Sequence, residues 1–329
     1  MRIGVFCSGG DAPGMNACVR AIVRRGLTEG HQVVGIRRGY AGLLTEDFFV
    51  NAQGESTMTL RSVSDWARFG GAFLRSSRSA EFNTPAGVQK AADILRRNQI
   101  DALIPIGGDG TFHGAVDLAS QWDGQIIGCP GTIDNDLMGT DFTIGFSTAV
   151  QTAVDAVDKI RDTAESHERM FVIEVMGRHS GYIAVHTALA AQAETVCIPE
   201  TPTDIAGICR DLQLLRERGK TSVMMVVAEG DEEGGAESLQ QKLAQADCPF
   251  STRVMILGHL QRGGAPTPED RILAAQLGDH AVQSLLGGHT GVMAGRCNGQ
   301  FALTPFEETY ASHKPIRPEL LRLIEILAH

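Results

Sequence analysis

Nowhere in its 329 residues does this chain offer a run approaching the ~20 apolar residues that a membrane-spanning helix needs. The apolar start IGVF (residues 3–6) is halted by SGGD, too short for the core of a signal peptide. A broad basic field is also missing: the net charge is −10 and the pI about 5.5, which speaks against a nucleic-acid or membrane-surface protein. Any anionic ligand must therefore be met by local groups of arginine. The seven cysteines are odd in number, scattered and free of any Cys-x-x-Cys, and none of the ten histidines has zinc-ligand spacing. Neither a disulfide framework nor a zinc site is indicated, and a reducing, cytoplasmic setting is expected. Low-complexity linkers, internal repeats, G-x-G-x-x-G and Walker A loops are absent as well.

What is present is a steady alternation of short apolar runs with helical patterns. IGVF precedes MNACVRAIVRRG, DALIPI (101–106) precedes TFHGAVDLAS, FVIEVM (171–176) precedes GYIAVHTALAAQ, and SVMMVVA (222–228) precedes ESLQQKLAQ. Such β-then-α order predicts an α/β fold with mostly parallel sheet and helices on both faces. Thr84 followed by Pro85 is a helix start, and Asn98 a stop. With ~150 residues per domain as the prior, two domains are expected, with a boundary near Gly145, before a long helix over 147–161.

Two of the strand ends carry a glycine pair followed by Asp: CSGGDAPGMN (7–16) and PIGGDGT (105–111). Glycine lets backbone N–H groups approach phosphate oxygens, and the following helix offers its positive end to the anion. One such turn is as easily a tight strand-to-helix connection; two favour phosphate. Asp109 cannot contact phosphate favourably by itself, so it either caps a helix at Thr111 or holds Mg²⁺, which takes one or two carboxylates plus water and phosphate oxygen. A third stretch, CPGTIDNDLMGTD (129–141), crowds Asp134, Asp136 and Asp141 together although like charges repel. If that segment is extended, Thr132, Asp134 and Asp136 share a face.

In order, GGDAPGMN (9–16), GGDGT (107–111), PGTIDND (130–136), MGR (176–178) and GHLQRGG (258–264) resemble the motif set of the bacterial ATP-dependent 6-phosphofructokinases, from residue 1 to about 300. GGDGT alone is shared with NAD and lipid kinases; PGTIDND and HLQRGG are not. The resemblance implies two Rossmann-like domains, each a mostly parallel sheet flanked by helices. Residues 1–144 plus about 261–308 would bind ATP, and 145–260 plus about 309–329 fructose 6-phosphate. It implies Mg²⁺-dependent transfer of the ATP γ-phosphoryl group to the sugar 1-hydroxyl, by a homotetramer with shared active sites.

By the same resemblance Asp134 is the general base, Asp136 binds a neighbouring hydroxyl and Thr132 contacts the transferring phosphoryl. Gly10, Gly108, Asp109, Gly110 and Thr111 hold the nucleotide phosphates, with Mg²⁺ on Asp109 and Arg78 reaching the same phosphates. Sugar contacts fall on Met176, Gly177, Arg178, Glu229, His259 and Arg262, while Arg169 and Arg253 cross a subunit interface to grip the 6-phosphate. Arg178 also counts among the catalytic residues. Arg20, Arg24, Arg161, Glu194 and Lys220 match parts of an effector site, although Thr221 and Ser222 replace basic residues there; a solvated charged face explains them as well. Pyrophosphate users of the family tend to carry Asp and Lys where this chain has Gly110 and Gly131, so ATP is favoured for lack of bulk. Arg75 departs from the L-G-S-x-R pattern, and Asn83 and Val88 replace arginines of some relatives. The alternatives are a pyrophosphate-dependent enzyme and a catalytically silent sugar-phosphate sensor.

Overall fold

The computed structural model describes residues 1–328. From the start to the middle of the chain run β1 (Arg2–Cys7), α1 (Met15–Thr28), β2 (Gln32–Gly35), α2 (Gly39–Leu44), α3 (Pro85–Arg97), β3 (Ala102–Gly107), α4 (Asp109–Ala119), β4 (Gln125–Pro130) and α5 (Phe146–Ser166). There follow β5 (Arg169–Val175), α6 (Tyr182–Ala190), β6 (Thr195–Cys197), α7 (Ile205–Glu217), β7 (Val223–Ala228), α8 (Gly235–Gln245) and β8 (Ser251–Ile256). The last are α9 (Pro268–Leu286), β9 (Val292–Cys297), β10 (Gln300–Pro305), α10 (Phe306–Tyr310) and α11 (Pro318–Ala328). No helix among the described residues is long and apolar enough to cross a membrane.

The described residues divide into two compact units, 1–133, 137–147 and 262–313 in the first and 134–136, 148–261 and 314–328 in the second. The first holds a six-stranded sheet in the order β10-β9-β4-β3-β1-β2, parallel except for β10, which pairs antiparallel with β9. The second holds four parallel strands in the order β6-β7-β5-β8. In β7 every residue is buried, Val223, Met225 and Val227 against Leu212, Leu215, Leu239 and Leu243 of α7 and α8, with Met224 and Val226 on the other side. That two-sided burial is why the run reads as continuously apolar rather than alternating.

In the first unit Phe6, Tyr40, Phe82, Phe112 and Phe306 fill one core cluster, with Tyr40 stacked on Phe82 at 3.9 Å and Phe112 on Phe306 at 5.1 Å. A buried side chain of this size contributes about 1.5–3 kcal/mol, against about 0–1 kcal/mol for an exposed ion pair such as Arg38–Asp47. Packing, not surface charge, therefore holds the strand ends in place. None of the seven cysteines is in a disulfide, and burial pushes Cys7 and Cys197 up to about 12, so both serve as apolar filling.

Three local readings change. Helix α4 begins at Asp109 with Gly108 as its N-cap, so Asp109 lies in the first turn and does not cap a helix at Thr111. Asn135 has φ +53°, a left-handed conformation that asparagine tolerates. The stretch from Thr132 to Asp136 is thus not continuously extended, and alternation cannot align Asp136 with Asp134. Residues 134–136 also group with the second unit, not with 1–144, because the Ser180 hydroxyl donates to the Asp134 carbonyl at 2.9 Å and Lys314 Nζ to Asn135 Oδ1 at 3.2 Å.

Arg75 stands at φ +60°, its N–H donating to the Ala72 carbonyl at 2.7 Å in a tight turn. A residue with a Cβ is strained there, which accounts for glycine in the family pattern. Arg75→Gly is expected to raise stability by roughly 0.5–1 kcal/mol, the left-handed penalty less the extra chain entropy of glycine. A urea titration should show a higher midpoint; a lower one would mean that the arginine side chain repays the strain through contacts of its own.

Candidate active site

In the first unit, β2-β1-β3-β4 is an order in which the chain moves outward from β1 to β2 and then returns past it to β3. At such a switch point the loops leaving adjacent strands diverge and open a crevice beyond their carboxyl ends. Both glycine pairs lie here. Ser8 N–H donates to the Ile106 carbonyl at 2.9 Å and Thr111 Oγ1 to the Ser8 carbonyl at 3.3 Å, so the two loops are tied side by side. A Cβ on Gly107 would stand 2.2 Å from Thr111 Oγ1, which no larger residue could tolerate. Ser76 Oγ reaches the Gly9 carbonyl at 2.6 Å, and the buried Tyr40 hydroxyl the Thr111 carbonyl at 2.8 Å.

Around that frame sit most of the expected nucleotide residues. Gly9 takes φ +83°, and Thr132 lies 3.5 Å from the place a Gly108 Cβ would occupy. Asp109 is half-buried, its Oδ1 accepting the Gly110 N–H at 2.7 Å in the first turn of α4, where helix polarity favours negative charge. No atom lies within 4 Å of a Cβ on Gly110, so that side of the turn is open. Gly131 is different. A Cβ there would meet Ile106 and Met15 at 2.9 Å, so its small size serves core packing. Arg78 is exposed. Arg262, expected at the sugar, lies in the first unit with Nη1 donating to the Asp11 carbonyl at 3.0 Å and its guanidinium over Gly10.

In the second unit the carboxyl ends of three neighbouring strands, β7, β5 and β8, carry the MGR loop, Glu229 and the turn over Gly258–Arg262. Glu229 Oε1 accepts two backbone N–H groups, from Arg178 at 2.7 Å and Gly177 at 3.2 Å. Those residues have φ +53° and +146°, conformations that persist only where the surroundings hold them. Ser180 bridges the loop to the acidic segment, its N–H donating to the Gly177 carbonyl at 2.9 Å and its hydroxyl to the Asp134 carbonyl. Asp134 is buried and Asp136 half-buried, while Arg178 and His259 are exposed. Asp141 belongs elsewhere: in the first unit its Oδ2 accepts the Gly299 N–H at 3.1 Å and its N–H donates to the Arg296 carbonyl at 2.6 Å, holding the β9–β10 turn.

The remaining expected residues do not gather at these ends. Arg169 opens β5 and Arg253 pairs across from Phe171, so Arg169 lies a full strand, roughly 20 Å, from the MGR loop. Arg161, Glu194 and Lys220 do meet, at the opposite ends of the strands: Glu194 Oε1 is 2.5 Å from Lys220 Nζ and 3.9 Å from Arg161, and its Oε2 accepts the Met224 N–H at 2.7 Å. Arg20 and Arg24 lie on α1. Sequence reasoning missed Gln261, Ser180 and Tyr40, all of which bond to backbone remote in sequence. Gln261 alone left a signal, as a polar residue inside the HLQRGG motif.

Known proteins resemble this chain throughout. It is 50% identical over 328 residues to ATP-dependent 6-phosphofructokinase 1 of Thermus thermophilus, covering 99% of each chain, and 47% identical over 322 residues to the ATP-dependent 6-phosphofructokinase of Paenibacillus macquariensis, covering 98% of this chain and 97% of the other. Among solved structures, phosphofructokinase from Saccharomyces cerevisiae superposes with a TM-score of 0.83 at 32% identity; 98% of this chain spans 46% of that one. The family model described as phosphofructokinase matches residues 2–285, and the chain belongs to that family.

Proposed function

We propose that the chain is a glycolytic kinase that transfers the γ-phosphoryl group of ATP to the 1-hydroxyl of fructose 6-phosphate. The observation that carries this reading is the Ser180 bridge. It ties the backbone of Asp134 to the MGR loop within the second unit, which supports placing the carboxylate and the sugar loop at one site.

A sugar hydroxyl is a poor nucleophile at neutral pH. Asp134 takes its proton as the oxygen bonds to the γ-phosphorus and the bond to the ADP oxygen breaks. Asp136 binds a neighbouring hydroxyl; Met176, Gly177, Arg178 and His259 contact the sugar, and Glu229 orders the loop that presents three of them. Arg262, by its place over Gly10, supports the first glycine loop. On the first unit Gly10, Gly108, Gly110 and Thr111 hold the nucleotide phosphates, with Thr132 at the transferring group and Arg78 balancing charge. Since catalysis of phosphoryl transfer is mostly positioning and charge stabilisation, fixed amides and guanidiniums supply much of it.

Asp109 suits Mg²⁺ as a carboxylate in a helix turn that is open beside Gly110. Asp109 would hold a Mg²⁺ ion that would supply charge neutralisation at the phosphates. The openness beside Gly110 favours ATP over pyrophosphate. Turnover should appear with fructose 6-phosphate, Mg²⁺ and ATP, and not with pyrophosphate; turnover with pyrophosphate alone would overturn the donor, and silence with both would favour the sensor. Adding ADP or phosphoenolpyruvate to the same assay tests Arg20, Arg24, Arg161, Glu194 and Lys220 as an effector site, which an unshifted rate curve would exclude.

On the family resemblance Arg169 and Arg253 serve the active site of a second copy of the chain within a homotetramer, a reading that agrees with their place along the strands and away from the MGR loop. Guanidinium forks suit the 6-phosphate. Mixing Arg178→Ala with Arg253→Ala should restore activity that neither variant shows alone, since mixed assemblies contain intact sites. No recovery in chromatographically verified mixed assemblies would mean that each site is built within one chain.

A further inference from the structure

The MGR loop is held from two sides, and only one side is a carboxylate. Met176 is the first residue beyond β5, where the ladder to β7 ends with Val175 opposite Ala228. Its N–H has left the sheet and donates instead to Gln261 Oε1 at 2.8 Å. Gln261 is fully buried. Among the described residues the amide nitrogen of the same side chain has no acceptor, so the bond to Met176 is what fixes which way the amide faces. Together Gln261 and Glu229 take three consecutive backbone donors, those of Met176, Gly177 and Arg178.

From this arrangement we infer that Gln261 is a positioning residue for sugar-phosphate binding, acting through Met176. This rests on the function proposed above. A loop whose next two residues take φ +146° and +53° has no intrinsic preference for that shape. Glu229 fixes the second and third amides, but without Gln261 the first would be a buried donor with no acceptor and would turn away to find one. A neutral amide does the same work as a second carboxylate without adding negative charge where an anionic sugar phosphate binds.

Gln261→Met keeps the length of the side chain and removes the acceptor. It should raise KM for fructose 6-phosphate about tenfold, the usual worth of a buried bond, with KM for ATP unchanged within about twofold. Val226→Ala, a cavity in the buried face of β7, serves as the stability control and should leave both KM values alone. Hydrogen exchange gives a readout independent of turnover: amides 176–178 should exchange faster in Gln261→Met than in Val226→Ala. Should Gln261→Met not fold, Gln261→Asn, one methylene too short to reach, should show the same two changes. Wild-type KM for the sugar phosphate in the acceptor-free variant, or an equal rise in the Val226→Ala control with no difference in exchange at 176–178, would overturn the assignment. A wild-type protein that does not phosphorylate fructose 6-phosphate would instead overturn the functional reading, with the exchange result still deciding whether Gln261 orders the loop.

Discussion

A backbone N–H that leaves the end of a parallel strand has lost its ladder partner, and everything at the two functional ends of this molecule follows from how that loss is met. In the first unit the loss is met by glycine and by helix geometry. The Gly9 and Gly107 turns pack against each other through Ser8 and Thr111, and α4 starts directly at Asp109, so amides at its first turn point outward by the geometry of any helix start. That arrangement suits the proposed phosphate site. In the second unit side chains do the work: Gln261 and Glu229 absorb three amides in succession, leaving a loop with a fixed shape and an exposed Arg178.

The division matches the chemistry. A nucleotide tail carries charge on many oxygens, and a ring of backbone dipoles meets it without regard to which oxygen is where. A sugar phosphate must be turned so that one hydroxyl, and not its neighbours, faces the base. Direction of that kind needs side chains anchored at both ends, which is what the Ser180 link between Gly177 and Asp134 provides. The extended core beneath each sheet, not ion pairing, keeps these ends from drifting.

Much of this was legible in the sequence. Apolar runs found the strands, Thr84 caps α3 by accepting the Gly87 N–H at 3.1 Å as its position before Pro85 suggested, and the glycine pairs lie at strand ends. The motif set carried the family. What was not legible depends on approach in three dimensions. Alternation put Asp134 and Asp136 on one face, but Asn135 at positive φ breaks the alternation, and nothing in a period of two can announce a left-handed asparagine. That Gly131 is also kept small by Ile106 and Met15, which a Cβ would meet at 2.9 Å, is another contact the sequence does not announce. Gln261 reaches across 85 residues of sequence to one amide, a pairing that only the neighbouring of β5 and β8 creates.

The central claim is that Asp134 removes the proton from the accepting hydroxyl while the rest of the second unit holds the sugar. Asp134→Asn, which keeps size and burial but removes the base, measures it most directly. The account predicts near-normal fructose 6-phosphate binding by calorimetry with kcat reduced by ~10² to 10⁴. An unchanged kcat would contradict it, and a collapse of sugar binding with kcat intact would make Asp134 a binding residue and leave the base to be found elsewhere.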